Sequence, residues 1–207
     1  MQSIIKTSKG EYKFKPINLF HGKKKINKKK ARENILLLRD ILSKTDIRWG
    51  LIFGTLLGAI REKNFIVHDE DIDIYIFYED KDKILDLIYE FNKFGFDVAR
   101  YEKKSLFSII RNNEYIDFYF FKKKLFGRRC LDYYIPNLFF KNSAKIKFFN
   151  QYFPTLNNAH KYLEFQYGKD WKVPKINSHA KPNIFWKKFI KSIFPSLVAI
   201  YHYWKNN

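Results

Sequence analysis

Hydrophobic positions recur at two spacings along this chain, and the change of spacing divides it into helical and strand-like runs. Ile35, Leu38, Ile41 and Leu42 fall on one helical face, which predicts a helix over 30–44. The apolar run at 47–53 predicts a strand, followed by a turn at Gly54-Thr55 and a short helix through LLGAIRE. In DEDIDIYIFY, Ile72, Ile74 and Ile76 alternate with polar residues, the pattern of a half-buried strand. Ile84, Leu87, Ile88 and Phe91 return to helical spacing over 81–93. Three further strands are expected at 96–102, 106–111 and 115–121, with Asn112-Asn113 as a tight turn between the last two. The aromatic stretch 125–155 shows no clear period and is expected to be irregular, and a helix over 157–167 ends at Gly168. The expected fold class is α+β (mixed α/β), with one central mixed sheet flanked by helices.

Composition sharpens this picture in two ways. With 207 residues, 46% hydrophobic and 19% aromatic, the chain can form one packed domain with appendages, and it is not a disordered chain. Cys130 is the only cysteine, which excludes an intramolecular disulfide and a cysteine-based zinc cluster and fits a reducing compartment. The N-terminal residues show no signal-peptide pattern, and no run reaches the roughly 18 apolar residues of a spanning helix. The expected location is cytoplasmic, with possible peripheral attachment to the inner membrane.

The net charge of +19 is unevenly spread. Residues 1–32 hold 11 Lys/Arg and one acid, Glu11, and residues 171–207 hold seven Lys and no acid, leaving 33–170 close to neutral. This divides the chain into a basic N-terminal arm (1–30), a central domain (31–180) and a basic aromatic tail (181–207). Basic ends around a neutral middle fit an anionic membrane surface as well as or better than nucleic acid, whose partners more often carry their positive field around the site.

The candidate chemistry lies in HDEDIDIYIF. Asp71 and Asp73 are two apart on the expected strand, so they share a face, joined by Asp69 if the strand begins early enough. Neighbouring carboxylates repel and are held together most readily by a cation; oxygen ligands of this kind suit Mg²⁺ or Mn²⁺. Asp117, set in the aromatic run YIDFYFF, requires a partner of some kind. Upstream, a strand turns into a helix at Gly54-Thr55, a place where backbone N–H groups and the helix dipole favour phosphate. Arg61 could reach a diphosphate or pair with the acids, and His68 lies in the loop before them. A bare acid pair is common as a solvated strand edge; its combination with this turn and a later strand acid is not.

GTLLGAIREKNFIVHDEDIDI resembles the signature of the LicD/fukutin family, within the nucleotidyltransferase-fold superfamily. Gly54, Thr55, Leu56, Leu57, Gly58, Ala59, Arg61, Phe65, Ile66, Asp69, Asp71, Ile72 and Asp73 carry the match, with Asp117 as the later strand acid. Tyr162, Leu163, Tyr167, Gly168, Trp171 and Pro174 are similar to a downstream block of the family. The chain departs from the pattern at Phe53 and Asn64, which stand where the family has glycine, at Val67-His68, which replace Pro-Trp, and at Glu70, which replaces a frequent Asp. The resemblance implies transfer of a phospho-substituent, such as phosphocholine or an alditol phosphate, from a CDP-linked donor to a glycan hydroxyl. It also implies Mg²⁺ (or Mn²⁺) on Asp71 and Asp73, with Asp117 completing the metal site or acting on the attacking hydroxyl. The acceptor would be a cell-surface glycan or its lipid-linked precursor. Nucleotidyl transfer from an NTP, or a non-catalytic basic binding role, are the competing readings.

In the tail, Phe185, Phe189, Ile193, Leu197 and Ile200 form a stripe interrupted by Pro195, with Trp186, Tyr201, Tyr203 and Trp204 beside lysines. This pattern is that of an interfacial membrane anchor or of a helix packed on the domain.

Overall fold

A computed structural model describes residues 2–19 and 24–174. The elements, in chain order, are β1 (Ser3–Thr7), β2 (Gly10–Phe14), α1 (Lys28–Leu42), β3 (Trp49–Leu51), α2 (Phe53–Arg61) and β4 (Ile72–Phe77). A turn of 3₁₀ helix leads to α3 (Lys81–Asp86) and α4 (Ile88–Lys93). Then come β5 (Asp97–Glu102), β6 (Leu106–Arg111), β7 (Glu114–Lys123), β8 (Gly127–Cys130) and β9 (Tyr133–Pro136). The last elements are α5 (Asn137–Phe140), β10 (Ala144–Phe148), β11 (Gln151–Thr155) and α6 (Ala159–Tyr167).

The main sheet runs β10-β11-β3-β4-β7-β6-β5, and the β8–β9 hairpin extends from the end of β7. It is mixed, as expected: β4 is parallel to β7 but antiparallel to β3, and β5, β6 and β7 form an antiparallel meander. On one face Phe107 and Phe118 stack on each other, and Phe91 of α4 stacks on Phe118. On the other, Phe140 of α5 packs edge-on against Tyr75 and Phe77, and Phe53 of α2 meets Tyr119. Coverage on both faces explains why every residue of β4 from Ile72 to Ile76 is buried, where the alternation predicted a half-buried strand.

The helix expected over 81–93 is divided at Leu87, whose N–H bonds back to Ile84. The tight turn at Asn112-Asn113 is present, with φ of 54° and 66°, the left-handed values that asparagine tolerates. The stretch 125–155, expected to be irregular, instead supplies four strands and α5. The N-terminal segment folds back as the β1–β2 hairpin, with Ile5 and Phe14 buried and Tyr12 edge-on to Tyr89. The aromatic tail lies outside the described residues. Among the described residues, no helix is long and apolar enough to cross a membrane.

Candidate active site

Strand pairing assembles the site. In the parallel β4–β7 ladder Asp73 pairs with Asp117; across β7 Asp117 pairs with Ser108, and across β6 Ser108 pairs with Arg100. One transverse row therefore carries Asp73, Asp117, Ser108 and Arg100 over four strands. Arg100 Nη2 donates to Asp117 Oδ2 at 2.6 Å, and its Nε donates to Ser108 Oγ at 3.1 Å. The Ser108 hydroxyl donates to the other oxygen of Asp117. Arg100 and Ser108 escaped the sequence reading. Ser108 offered a signal, a polar side chain in the apolar run LFSII, but Arg100 lies in the mixed strand DVARYE, and only the pairing shows that both serve Asp117.

Helix α2 supplies the opposite wall. Ile52 is extended at its N-cap, and Phe53 then turns the chain with φ of 46°. A bulky residue rarely adopts this conformation, and it costs roughly 1–2 kcal/mol. The Phe53 ring offsets part of that cost by packing 4.5 Å from Tyr133 and 5.1 Å from Tyr119. The turn places Thr55 against Asp73 in a reciprocal contact. Asp73 N–H donates to Thr55 Oγ1 at 2.8 Å, and Thr55 N–H points at Asp73 Oδ2 at 3.4 Å. Gly54 permits a close approach: a methyl group there would lie 2.9 Å from Asp69 Oδ2. In this structure the group that exploits the missing side chain is the Asp69 carboxylate.

Asp73 and Asp117 are 6% and 2% exposed, whereas Asp69 and Asp71 are half-buried at the start of β4. Burial first, and then the fields of Asp69 and Asp117, push the Asp73 carboxyl up to about 8. Burial, followed by Asp73 and Asp117, holds Asp71 well above the usual carboxylate range. Burial and Glu62 raise Asp69 to about 7, against the opposing pull of Arg61 and Lys28. Tyr115 and Tyr119 flank Asp117 on β7, and both phenols are pushed up by burial and by the nearby carboxylates. The site thus concentrates negative charge that its own cations only partly balance.

Of the residues singled out from sequence, Asp69, Asp71, Asp73, Asp117, Gly54 and Thr55 are brought together. Arg61 donates to Glu62 at 2.8 Å and to the Trp171 carbonyl at 3.2 Å, while its charge still acts on the Asp69 carboxyl. It ties the end of α2 to the loop after α6, where Trp171 is buried, as are Tyr162 and Leu163 of α6 itself. His68 is exposed in the turn before the acids. The basic N-terminal run is closer than its place in the sequence implied: Ile26 N–H donates to the Asp69 carbonyl at 2.8 Å, and Lys28 acts on the Asp69 carboxyl.

The donor set suits a hard divalent cation: oxygen ligands only, charged and crowded. Among the described residues no three His, Cys, Asp or Glu side chains are already gathered at metal-ligand spacing, and Asp117 is turned toward Arg100 and Ser108. Mg²⁺ usually takes one or two carboxylates together with substrate phosphates, and Asp71 and Asp73 meet that requirement.

An uncharacterized protein of Rickettsia typhi is 30% identical over 135 residues, 61% of this chain and 42% of its own length. One from Rickettsia prowazekii is 36% identical over 84 residues, 39% of this chain and 31% of its own length. The chain thus spans less than half the length of these curated relatives. Among solved structures, the antibiotic-resistance factor ANT(2'')-Ia is similar with a TM-score of 0.49 and 13% identity, covering 86% of this chain and all of that one. The lincosamide antibiotic adenylyltransferase LnuA gives 0.45 and 13%, covering 68% of this chain and 86% of that one. Residues 46–175, with the whole acidic site inside them, match the family described as LicD/FKTN/FKRP, nucleotidyltransferase domain, and the chain belongs to that family.

Proposed function

We propose that this chain transfers a phospho-substituent, such as phosphocholine or an alditol phosphate, from a CDP-linked donor to a hydroxyl of a cell-surface glycan or its lipid-linked precursor. The observation that carries this reading is the row Asp73–Asp117–Ser108–Arg100 facing the first turn of α2. Family membership supports a transferase reaction, and the crowding of buried carboxylates supports a bound cation.

Asp71 and Asp73 would hold Mg²⁺ or Mn²⁺, with Asp117 beside them. Bound there, the ion would neutralise charge on the diphosphate and on the departing CMP. The remaining work belongs to the protein. Thr55 fixes the rotamer of Asp73 and ties the helix turn to it. N–H groups in the first turn of a helix lack intrahelical partners, so the start of α2, beside Asp73, would offer donors to phosphate oxygens. Arg100 and Ser108 hold the Asp117 carboxylate aimed, where it would orient the attacking hydroxyl and take its proton.

Donor screening tests the reading. CMP release from CDP-choline or a CDP-alditol, abolished by EDTA and restored by Mg²⁺ or Mn²⁺, is the expected result. Pyrophosphate release from an NTP would assign nucleotidyl transfer instead, and turnover that persists without metal would sink the mechanism.

A further inference from the structure

The loop from β7 to β8 carries a surface that the reaction does not use. Lys122, Lys123 and Lys124 are exposed, and the chain then turns through Leu125 and Phe126, 81% and 46% exposed, before re-entering the fold at buried Gly127. Leu138, 53% exposed, joins them, because Asn137 N–H donates to the Phe126 carbonyl at 3.0 Å. The tip is rigidly founded: β7 and β8 pair up to Lys123 and Arg128, and the Arg128 guanidinium is clasped between Glu79 at 2.8 Å and the Phe77 ring. From Lys122 to Asn157 the chain carries eight Lys/Arg and a single acid, Asp132. A second basic region therefore lies inside the nearly neutral middle of the chain.

We propose that this tip is a membrane contact that seats Leu125 and Phe126 in the headgroup region of an anionic bilayer, with Lys122–Lys124 held against the lipid phosphates. Protruding apolar side chains framed by lysines match such a surface, whose charge attracts basic residues and whose interface accepts apolar ones. A stable protein partner would need about 800 Å² on this side, more than three apolar side chains on a convex hairpin end present. Asp117 lies six residues back along β7 from Lys123, about 20 Å at the rise of a strand. The acidic site would thus stand off the bilayer at the height of a headgroup-linked sugar. The inference does not depend on the reaction assigned to the carboxylates.

The test uses the full chain with Leu125→Cys carrying an environment-sensitive fluorophore. Cys130 is buried and its thiol is pushed up to about 12 by that burial, so labelling goes to the new site. With phosphatidylcholine vesicles containing phosphatidylglycerol, the emission is expected to shift to the blue and to be quenched by a lipid-borne quencher. Neutralising Lys122, Lys123 and Lys124 to Gln should weaken partitioning by about a hundredfold, each lysine counting for about fivefold. Unchanged emission, even on vesicles that bind the protein through another segment, would overturn the proposal. So would an equal response to phosphatidylcholine alone.

Discussion

Asp117 faces Asp73 across the parallel β4–β7 ladder, and Arg100 grips Asp117 from the side away from Asp73. The pair is therefore asymmetric. One carboxylate is paired with a guanidinium within the sheet, while the other has the Thr55 N–H and the Tyr119 hydroxyl beside its acidic neighbours and no cation bonded to it among the described residues. Under the proposed function, this division would give the cation to Asp73 and Asp71 and an orienting role to Asp117.

Asp73→Asn and Asp117→Asn are each expected to lower turnover by about a hundredfold or more, since several kcal/mol of charge stabilisation at the phosphate would be lost. The two should differ in stability. Asp73→Asn removes like-charge repulsion in a buried setting, so its melting temperature should hold or rise. Asp117→Asn strips Arg100 of its counter-ion, and its melting temperature should fall. A drop for Asp73→Asn as large as that for Asp117→Asn would contradict the asymmetry.

The raised carboxyls give stability a defined pH dependence. In the folded chain Asp69 titrates near 7 and Asp73 near 8, whereas unfolded carboxylates titrate at about 4. Between those values the folded state holds protons that the unfolded state has released, so metal-free stability should fall as pH rises and level off above about 8. A divalent cation binds the ionised carboxylates, so the rise in melting temperature produced by Mg²⁺ should grow over the same interval. Thermal scans at about pH 5 and pH 8, with and without Mg²⁺, check this; a shift no larger at pH 8 would exclude a cation at these carboxylates.

How much of this could be read from the chain depended on how local each signal was. Asp71 and Asp73 are two apart in sequence, one in the bend before β4 and one in the strand, and the turn at Asn112-Asn113 declares itself because asparagine tolerates positive φ. Arg100 and Ser108 did not declare themselves, because their role depends on which strands become neighbours. The turn at Phe149-Asn150, with φ of 49° and 61°, was hidden because phenylalanine is not a turn residue. Phe53 could be recognised only as a departure from the family pattern, and the structure adds that it adopts a glycine-like conformation there. The charge count indicated basic ends but not that the Ile26–Lys28 segment closes over Asp69.

Arg100 should prove to be a positioning residue. Arg100→Gln leaves the Asp117 carboxylate buried with Ser108 still bonded to it, at a cost of about 2–4 kcal/mol, below the full buried-pair value because the arginine is partly exposed. Adding Asp117→Asn should recover part of that stability without recovering activity. Arg100→Gln should also lower kcat with KM little changed, and Arg100→Lys should recover part of that loss. Additive stability losses in the double variant, or no recovery by lysine, would mean that Arg100 does not act through Asp117.

Gly54 and Gly58 sit four apart on α2 and should respond in opposite ways to the same change. At Gly58 a methyl group would lie 2.6 Å from the Asn64 carbonyl, a backbone atom in the loop that leads to the acids, so Gly58→Ala should destabilise the protein by about 1–3 kcal/mol. At Gly54 the obstacle is the Asp69 carboxylate, the mobile end of a side chain, and alanine also favours the helix by about 1 kcal/mol. Gly54→Ala should therefore keep its melting temperature within a few degrees while Asp69 swings away and turnover falls about tenfold or more. Pairing it with Asp69→Asn distinguishes displacement of the carboxylate from a blocked approach to substrate. If Asp69 is the affected group, the double variant should be no worse than Asp69→Asn alone. Further loss in the double variant would show that the alanine methyl obstructs the space above α2 directly.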